Sequence, residues 1–213
     1  MSLLVLMPTR DNPAGAERAF QSMLGTSDEA IMALCIDDDQ EQVYAGLNHP
    51  RLAKHIGPRT DIVGSINSAV RSMPNHSIYG MMTDDAVFRS ADWDVWTEAA
   101  FSQFPNRLGV VSPHHNGGPF VNFPYVSREW IDLVGWFACT ETLHFCWDTV
   151  LEMLGEATQI RYASEIEFGL HHYVDRNDKT LPVFMMDCVQ FLGWCVNRRR
   201  DLVNRIREAS WAN

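Results

Sequence analysis

Two neighbouring carboxylates, Asp84 and Asp85, lie near the end of the segment Ser77–Phe88, SIYGMMTDDAVF. Adjacent acids repel, and keeping both ionised is costly unless a cation lies between or beside them. Hard oxygen ligands of this kind suit Mg²⁺ or Mn²⁺, with a bound phosphate completing the shell. The run before them, Ile78–Met82, is apolar and bounded upstream by Pro74–Asn75, the pattern of a buried strand. Ligands of open α/β sheets collect where strands end. An Asp-Asp pair by itself is a common turn, so the surroundings decide its meaning.

Three other strand ends carry polar residues. Leu3–Met7 reads as a strand ending in Pro8, Thr9 and Arg10. Ala30–Ile36 ends in Asp37–Asp38–Asp39, and Ala53–Ile56 leads to Gly57–Pro58–Arg59. Asn12–Pro13 supplies an N-cap and first-turn proline for a helix that Gly25 closes. Ile62, Ile66, Ala69, Val70 and Met73 make one face of a second helix, with Asp61 at its cap. Four strands alternating with at least two helices predict an α/β domain with a mostly parallel central sheet flanked by helices. Gathered at one sheet edge, the polar ends would form a nucleotide-sized site.

The second half is less regular. Helices are expected over Trp93–Phe104, Ser127–Val134 and Val189–Arg207, and a strand over Leu108–Ser112. Leu143, Cys146, Trp147, Val150, Leu151 and Leu154 define the core face of a further helix, whose other face stacks Glu141, His144 and Asp148 at i, i+3 and i+7. Arg161–Tyr162 and Ile166–Leu170 are extended stretches leading into His171–His172.

With 213 residues and 46% hydrophobic content the chain can build one well-cored domain over 1–213. The net charge of −10 argues against a general polyanion binder, yet Arg198, Arg199, Arg200, Arg205 and Arg207 all fall in the last sixteen residues. Five cysteines, odd in number and without C-x-x-C spacing, suit reduced thiols in a cytosolic protein. The Leu3–Met7 run is too short for a signal peptide or membrane span. A cytoplasmic protein with no membrane partner is expected.

The order LLVLMPTRDNP, CIDDD, GPRTDIVGSINSAV, MMTDDAVF, VSREWIDLVGWF and HFCWDTVLEMLG, followed by the late His pair, resembles nucleotide-sugar glycosyltransferases of the GT-A fold. It looks most like the small bacteriophage-type enzymes related to the family-2 transferases. The resemblance implies a nucleotide-sugar-binding half over about 1–90 and an acceptor-binding half over about 91–213. The family's metal-binding D-x-D corresponds to Thr83–Asp84–Asp85, so its first acid is replaced by Thr83. Asp85 would hold Mn²⁺ or Mg²⁺ against the donor's diphosphate, with His172 or His171 completing the metal site, and Asp84 would touch ribose or sugar. Pro8, Thr9 and Arg10 would lie beside base and ribose, and Asp37 or Asp38 would accept from the base. Arg59 would assist the phosphates, and Asn67 would reach the nucleotide from its helix. The donor implied is a nucleoside-diphosphate sugar, a UDP-sugar first.

In an inverting transfer the attacking hydroxyl must lose a proton, usually to a carboxylate near the acceptor. Asp148 is the candidate base with His144 beside it, and Glu141 is the reserve; a retaining enzyme needs no such base. Small phage-type relatives include enzymes that glycosylate hydroxymethylated pyrimidines in DNA. The terminal arginines could clamp DNA phosphates, which makes 5-hydroxymethylpyrimidine DNA the leading acceptor, ahead of a polysaccharide or small glycan. Two other readings stand beside this one. A nucleotidyltransferase would need a Gly-rich, basic triphosphate loop that Pro8–Gly15 lacks, and a non-catalytic nucleotide-sugar binder would keep the fold without turnover.

Overall fold

The computed structural model describes residues 2–114, 121–170 and 181–211. The chain opens with β1 (Leu3–Pro8), buried through Met7, and α1 (Pro13–Leu24). Asn12 starts that helix by accepting from the Gly15 N–H, with proline at the first turn, and Ala16, Ala19, Phe20 and Met23 face the core. There follow β2 (Ile31–Asp37), a 3₁₀ turn over Asp38–Tyr44, β3 (Leu52–Gly57), α2 (Ile62–Ser72) and β4 (Ile78–Met81). Asp61 caps α2 by accepting from the Gly64 N–H at 2.7 Å. The second half adds β5 (Ala86–Phe88), α3 (Trp93–Phe101), β6 (Val110–His114), β7 (Tyr125–Ser127) and α4 (Arg128–Val134). It closes with α5 (Trp147–Ala157), β8 (Ile160–Leu170), α6 (Leu181–Asn197) and α7 (Arg199–Ser210).

The strands join into one eight-stranded sheet in the order β3-β2-β1-β4-β7-β6-β8-β5, so it crosses both halves of the chain. Four of the seven pairings are parallel, namely β1 with β2, β1 with β4, β2 with β3, and β6 with β8. The other three are antiparallel. The sheet grows outward from β1 to β3, then the chain returns to lay β4 on the other side of β1. That reversal is a topological switch point, and in such sheets the crevice outside the strands' carboxyl ends is the binding position. Gly80 on β4 lets Tyr125 of β7 pack flat against the strand: a Cβ there would lie 2.2 Å from the tyrosine ring.

Three expectations about elements change. β5 and β7, three residues each, escape a reading by periodicity because so short a run has no period to show. The helix expected from Leu143 begins only at Trp147, because Cys146 adopts a left-handed conformation (φ 63°) that interrupts any helix passing through it. Glu141, His144 and Asp148 therefore form no helical column. The single terminal helix is two, broken at Arg198 into α6 and α7. Among the described residues, no helix is long and apolar enough to cross a membrane.

Candidate active site

The polar ends of β1, β2 and β4 meet. A cavity of about 320 Å³ at the switch point is lined by Pro8, Thr9, Arg10, Cys35, Asp37, Thr60, Asp61, Ser65, Asp84 and His144 among others. A second, of about 380 Å³, adjoins it through the shared residues Asp37, Thr60 and Ser65, and adds His55, Arg59 and Arg71. The two form a groove across the strand ends, acidic near β1 and β4 and basic beyond β3.

Thr9 is the buried pivot. Its hydroxyl donates to Asp84 Oδ2 at 2.6 Å. Having given away its single proton, Thr9 accepts from the Tyr44 hydroxyl at 2.8 Å, and Tyr44 in turn accepts from the Asn12 N–H at 3.1 Å. Burial pushes the Asp84 carboxyl above its ordinary value, and the charge of Asp85 pushes the same way. Hydrogen bonds from Thr9 and Asn12 hold it back. Gly15 brings α1 against this loop, since a Cβ there would lie 2.6 Å from the Asp84 carbonyl oxygen.

Asp85 differs. Its Oδ1 is buried and has no hydrogen-bond partner among the described residues. An orphaned carboxylate oxygen is expensive to keep, and it is the donor type that a hard divalent cation accepts. No group of three or more His, Cys, Asp or Glu side chains able to hold a metal occurs among the described residues. His171 and His172, expected to supply a further ligand, lie outside the described residues. On the protein side the observed donors for a cation are thus Asp85 and its neighbour Asp84.

Arg10 spans the acids after β2. It forms a two-pronged pair with Asp39 at 2.8 and 2.7 Å and donates to Asp37 at 2.6 Å. Its guanidinium holds the Asp39 carboxyl below the usual carboxylate range. Asp37 lines both cavities, whereas Asp38 faces solvent. Of the two acids offered for base recognition, only Asp37 is in the groove. Arg59 is exposed and lines the outer cavity, beside Arg71.

Asn67 is not brought to the groove. It is buried, its amide donates to the Ala138 carbonyl at 2.7 Å, and its oxygen accepts from the Phe137 and Ala138 N–H groups at 2.9 and 3.1 Å. Those bonds pin the 137–138 turn onto α2, and Asn67 does not line the groove. A helical polar residue reads alike from sequence whether it faces ligand or backbone.

His144 reaches the cavity, held by a residue that sequence reasoning missed. Asp187 of α6 is fully buried and accepts from the N–H groups of Leu143, His144 and Phe145 at 2.9, 2.8 and 2.6 Å. The Leu143 carbonyl accepts from the Val63 N–H at 3.2 Å, tying the same turn to α2. Partial desolvation lowers the His144 pKa, against a raising effect of Asp187 and Asp61. Asp148 sits in the first turn of α5, half-buried and outside the described lining of the groove. Burial raises its pKa, and its Oδ1 accepts from the Thr149 N–H at 2.8 Å. Glu141 turns to Arg198, 3.4 Å away. Tyr44 and Asp187 had no local signal, being isolated residues whose partners lie more than thirty positions distant.

No protein-family model matches the sequence, and no curated protein matches it. Solved structures do. The mannosyltransferase PcManGT from Pyrobaculum calidifontis, in complex with GDP-Man and Mn²⁺, aligns over 99% of this chain and 70% of its own with a TM-score of 0.67 and 13% identity. GalNAc-T7 with UDP, GalNAc and Mn²⁺ aligns over 100% of this chain at TM-score 0.71 and 10% identity, and S. aureus TarS over 99% at 0.60 and 12%. The chain spans about half the length of those last two, 51% and 44%. At such identities the likeness speaks for architecture, and the architecture is the GT-A glycosyltransferase fold.

Proposed function

We propose that the protein is a metal-dependent glycosyltransferase that moves a sugar from a nucleoside-diphosphate sugar to a hydroxyl acceptor. The observation that carries this is the buried Asp85 Oδ1, without a partner among the described residues, beside Asp84 at the switch point of a GT-A sheet. Asp85, with Asp84 beside it, would hold Mn²⁺ or Mg²⁺, and His172 or His171 remains the further ligand expected from sequence. Such a cation neutralises charge growing on a diphosphate leaving group. Support comes from PcManGT and GalNAc-T7, whose complexes contain GDP-Man with Mn²⁺ and UDP with GalNAc and Mn²⁺.

The chain's own residues divide the remaining work. Asp37 offers an acceptor at the inner cavity, where a nucleoside would lie, with Thr9 in the cavity wall. Arg10 orders Asp37, and Arg59 and Arg71 supply positive charge along the outer cavity for phosphates. Asp148, in the first turn of α5 and outside the described groove lining, stays the candidate base of an inverting reaction as expected from sequence, and its raised pKa favours proton acceptance. His144 stands at the groove wall, where a sugar bound in the groove would pass within its reach.

The DNA acceptor rests on the terminal arginines. Arg198 pairs with Glu141, Arg205 donates to the Leu133 carbonyl and Arg207 to the Ala157 carbonyl, which leaves Arg199 and Arg200 for phosphates. A glycan acceptor is favoured by a different feature. A polar cavity of about 380 Å³ is lined by Trp136, Glu141, Arg198, Asp201 and Arg205, an aromatic face with carboxylates and cations suited to a sugar ring. Incubation with UDP- and GDP-sugars plus Mn²⁺ tests the main reading. Slow release of nucleoside diphosphate, stopped by EDTA, is expected; no release from any donor overturns it. Mass analysis of nucleosides from 5-hydroxymethylpyrimidine DNA then decides the acceptor, because absence of a hexose adduct leaves the glycan.

A further inference from the structure

The outer face of α6 is apolar and exposed among the described residues. Met185, Val189, Leu192 and Val196 are 62%, 70%, 62% and 83% exposed, while Asp187 and Trp194 on the same helix are 0% and 1% exposed. At about 100° per residue the four exposed side chains fall within an arc of roughly 60°. Exposed aliphatic side chains aligned in this way form one continuous stripe rather than scattered surface residues.

Positive charge lies beside this stripe. A cavity of about 420 Å³, reached from α6 through Cys195, is lined by Arg199, Arg200, Arg207 and Asn204 and by no described carboxylate. Arg199 and Arg200 form no ion pair among the described residues, in a chain whose net charge is −10. Two neighbouring cations without an ion pair among the described residues suit an anionic partner.

From these two observations we infer that α6 and the adjoining arginine cavity seat the protein on an anionic phospholipid surface. The stripe lies along the headgroup boundary, and Arg199 and Arg200 meet lipid phosphates. A second copy of the chain suits the surface less well. Seventeen residues make a helix about 25 Å long, and a stripe about 10 Å wide offers about 250 Å², against the roughly 800 Å² per partner of stable interfaces. Duplex DNA would reward the arginines and leave the aliphatic side chains unburied. The expectation of no membrane partner followed from the lack of a spanning segment, and attachment to a surface needs none. The inference goes beyond the glycosyltransferase reading and does not rest on it.

The test is co-sedimentation of the full chain with vesicles of phosphatidylcholine, alone and mixed with phosphatidylserine. Binding is expected only to the mixed vesicles, weakening as salt rises. Leu192→Asp should abolish it, and Arg199→Gln with Arg200→Gln should weaken it by about tenfold or more. Nucleoside diphosphate release from free donor should be unchanged in Leu192→Asp, so the two proposals fail separately. Equal binding to pure phosphatidylcholine, or none to either vesicle, overturns the inference. So does a concentration-dependent dimer in sedimentation that Leu192→Asp dissolves, or retention on duplex DNA in place of vesicles.

Discussion

Asp85, where β4 gives way to β5, and Asp187, on α6, are both carboxylates placed where water is scarce, and the chain treats them in opposite ways. Asp187 receives three backbone N–H groups and so closes the turn at 143–145. Asp85 keeps one buried oxygen bare among the described residues. A satisfied buried carboxylate adds order, while an orphaned one costs stability and persists where another requirement outweighs that cost. The contrast sets a residue that builds the molecule against one that we propose holds a cation.

The contrast breaks most plainly at Asp85. Asp85→Ala should cut donor turnover about a thousandfold, the scale of several kcal/mol of lost charge stabilisation. Its melting temperature should stay at or above wild type, since an unpaired buried oxygen is removed. A collapsed melting temperature would make Asp85 structural after all. Asp187→Ala should do the reverse, costing about 3 kcal/mol of stability in urea unfolding by stranding its N–H partners. Turnover in that variant falls only as far as His144 loses its place.

Asp148 lies between these extremes, with one oxygen satisfied and burial raising its pKa. A raised folded value favours the folded state below the ordinary carboxylate pKa and disfavours it as pH climbs through the raised value. Asp148→Asn escapes that loss. Its melting temperature should exceed wild type near neutral pH and match it in acid, while transfer to an acceptor slows if Asp148 is the base. The smallest effect belongs to Arg10→Gln. Asp39 is depressed by Arg10, so the pair stabilises above the usual carboxylate pKa and lets go as pH falls through the lowered value. The variant should return Asp39 to ordinary titration, read by NMR, with little change in melting because the pair is exposed.

Much of the groove is legible in the chain itself. Strand β1 ending at Pro8–Arg10, β2 at Asp37 and β4 before Asp84–Asp85 all show, because apolar runs with polar ends are local patterns. Asn12 and Asp61 announce their caps by the same locality. Asn67, expected at the nucleotide, bonds instead to Phe137 and Ala138, about seventy residues on, where no local pattern points. Glu141, His144 and Asp148 read falsely as a column because nothing local marks Cys146 as left-handed.

By itself, then, the sequence settled the alternation of strands and helices and the kinds of side chain at each strand end, since both follow from periodicity and capping within a few residues. Only the tertiary structure decided that β4 lies beside β1, that Thr9 gives its proton to Asp84, and that Asp187 holds the turn carrying His144. Those contacts join residues more than forty positions apart, where pairing is won by packing and hydrogen-bond geometry that no short stretch of chain encodes.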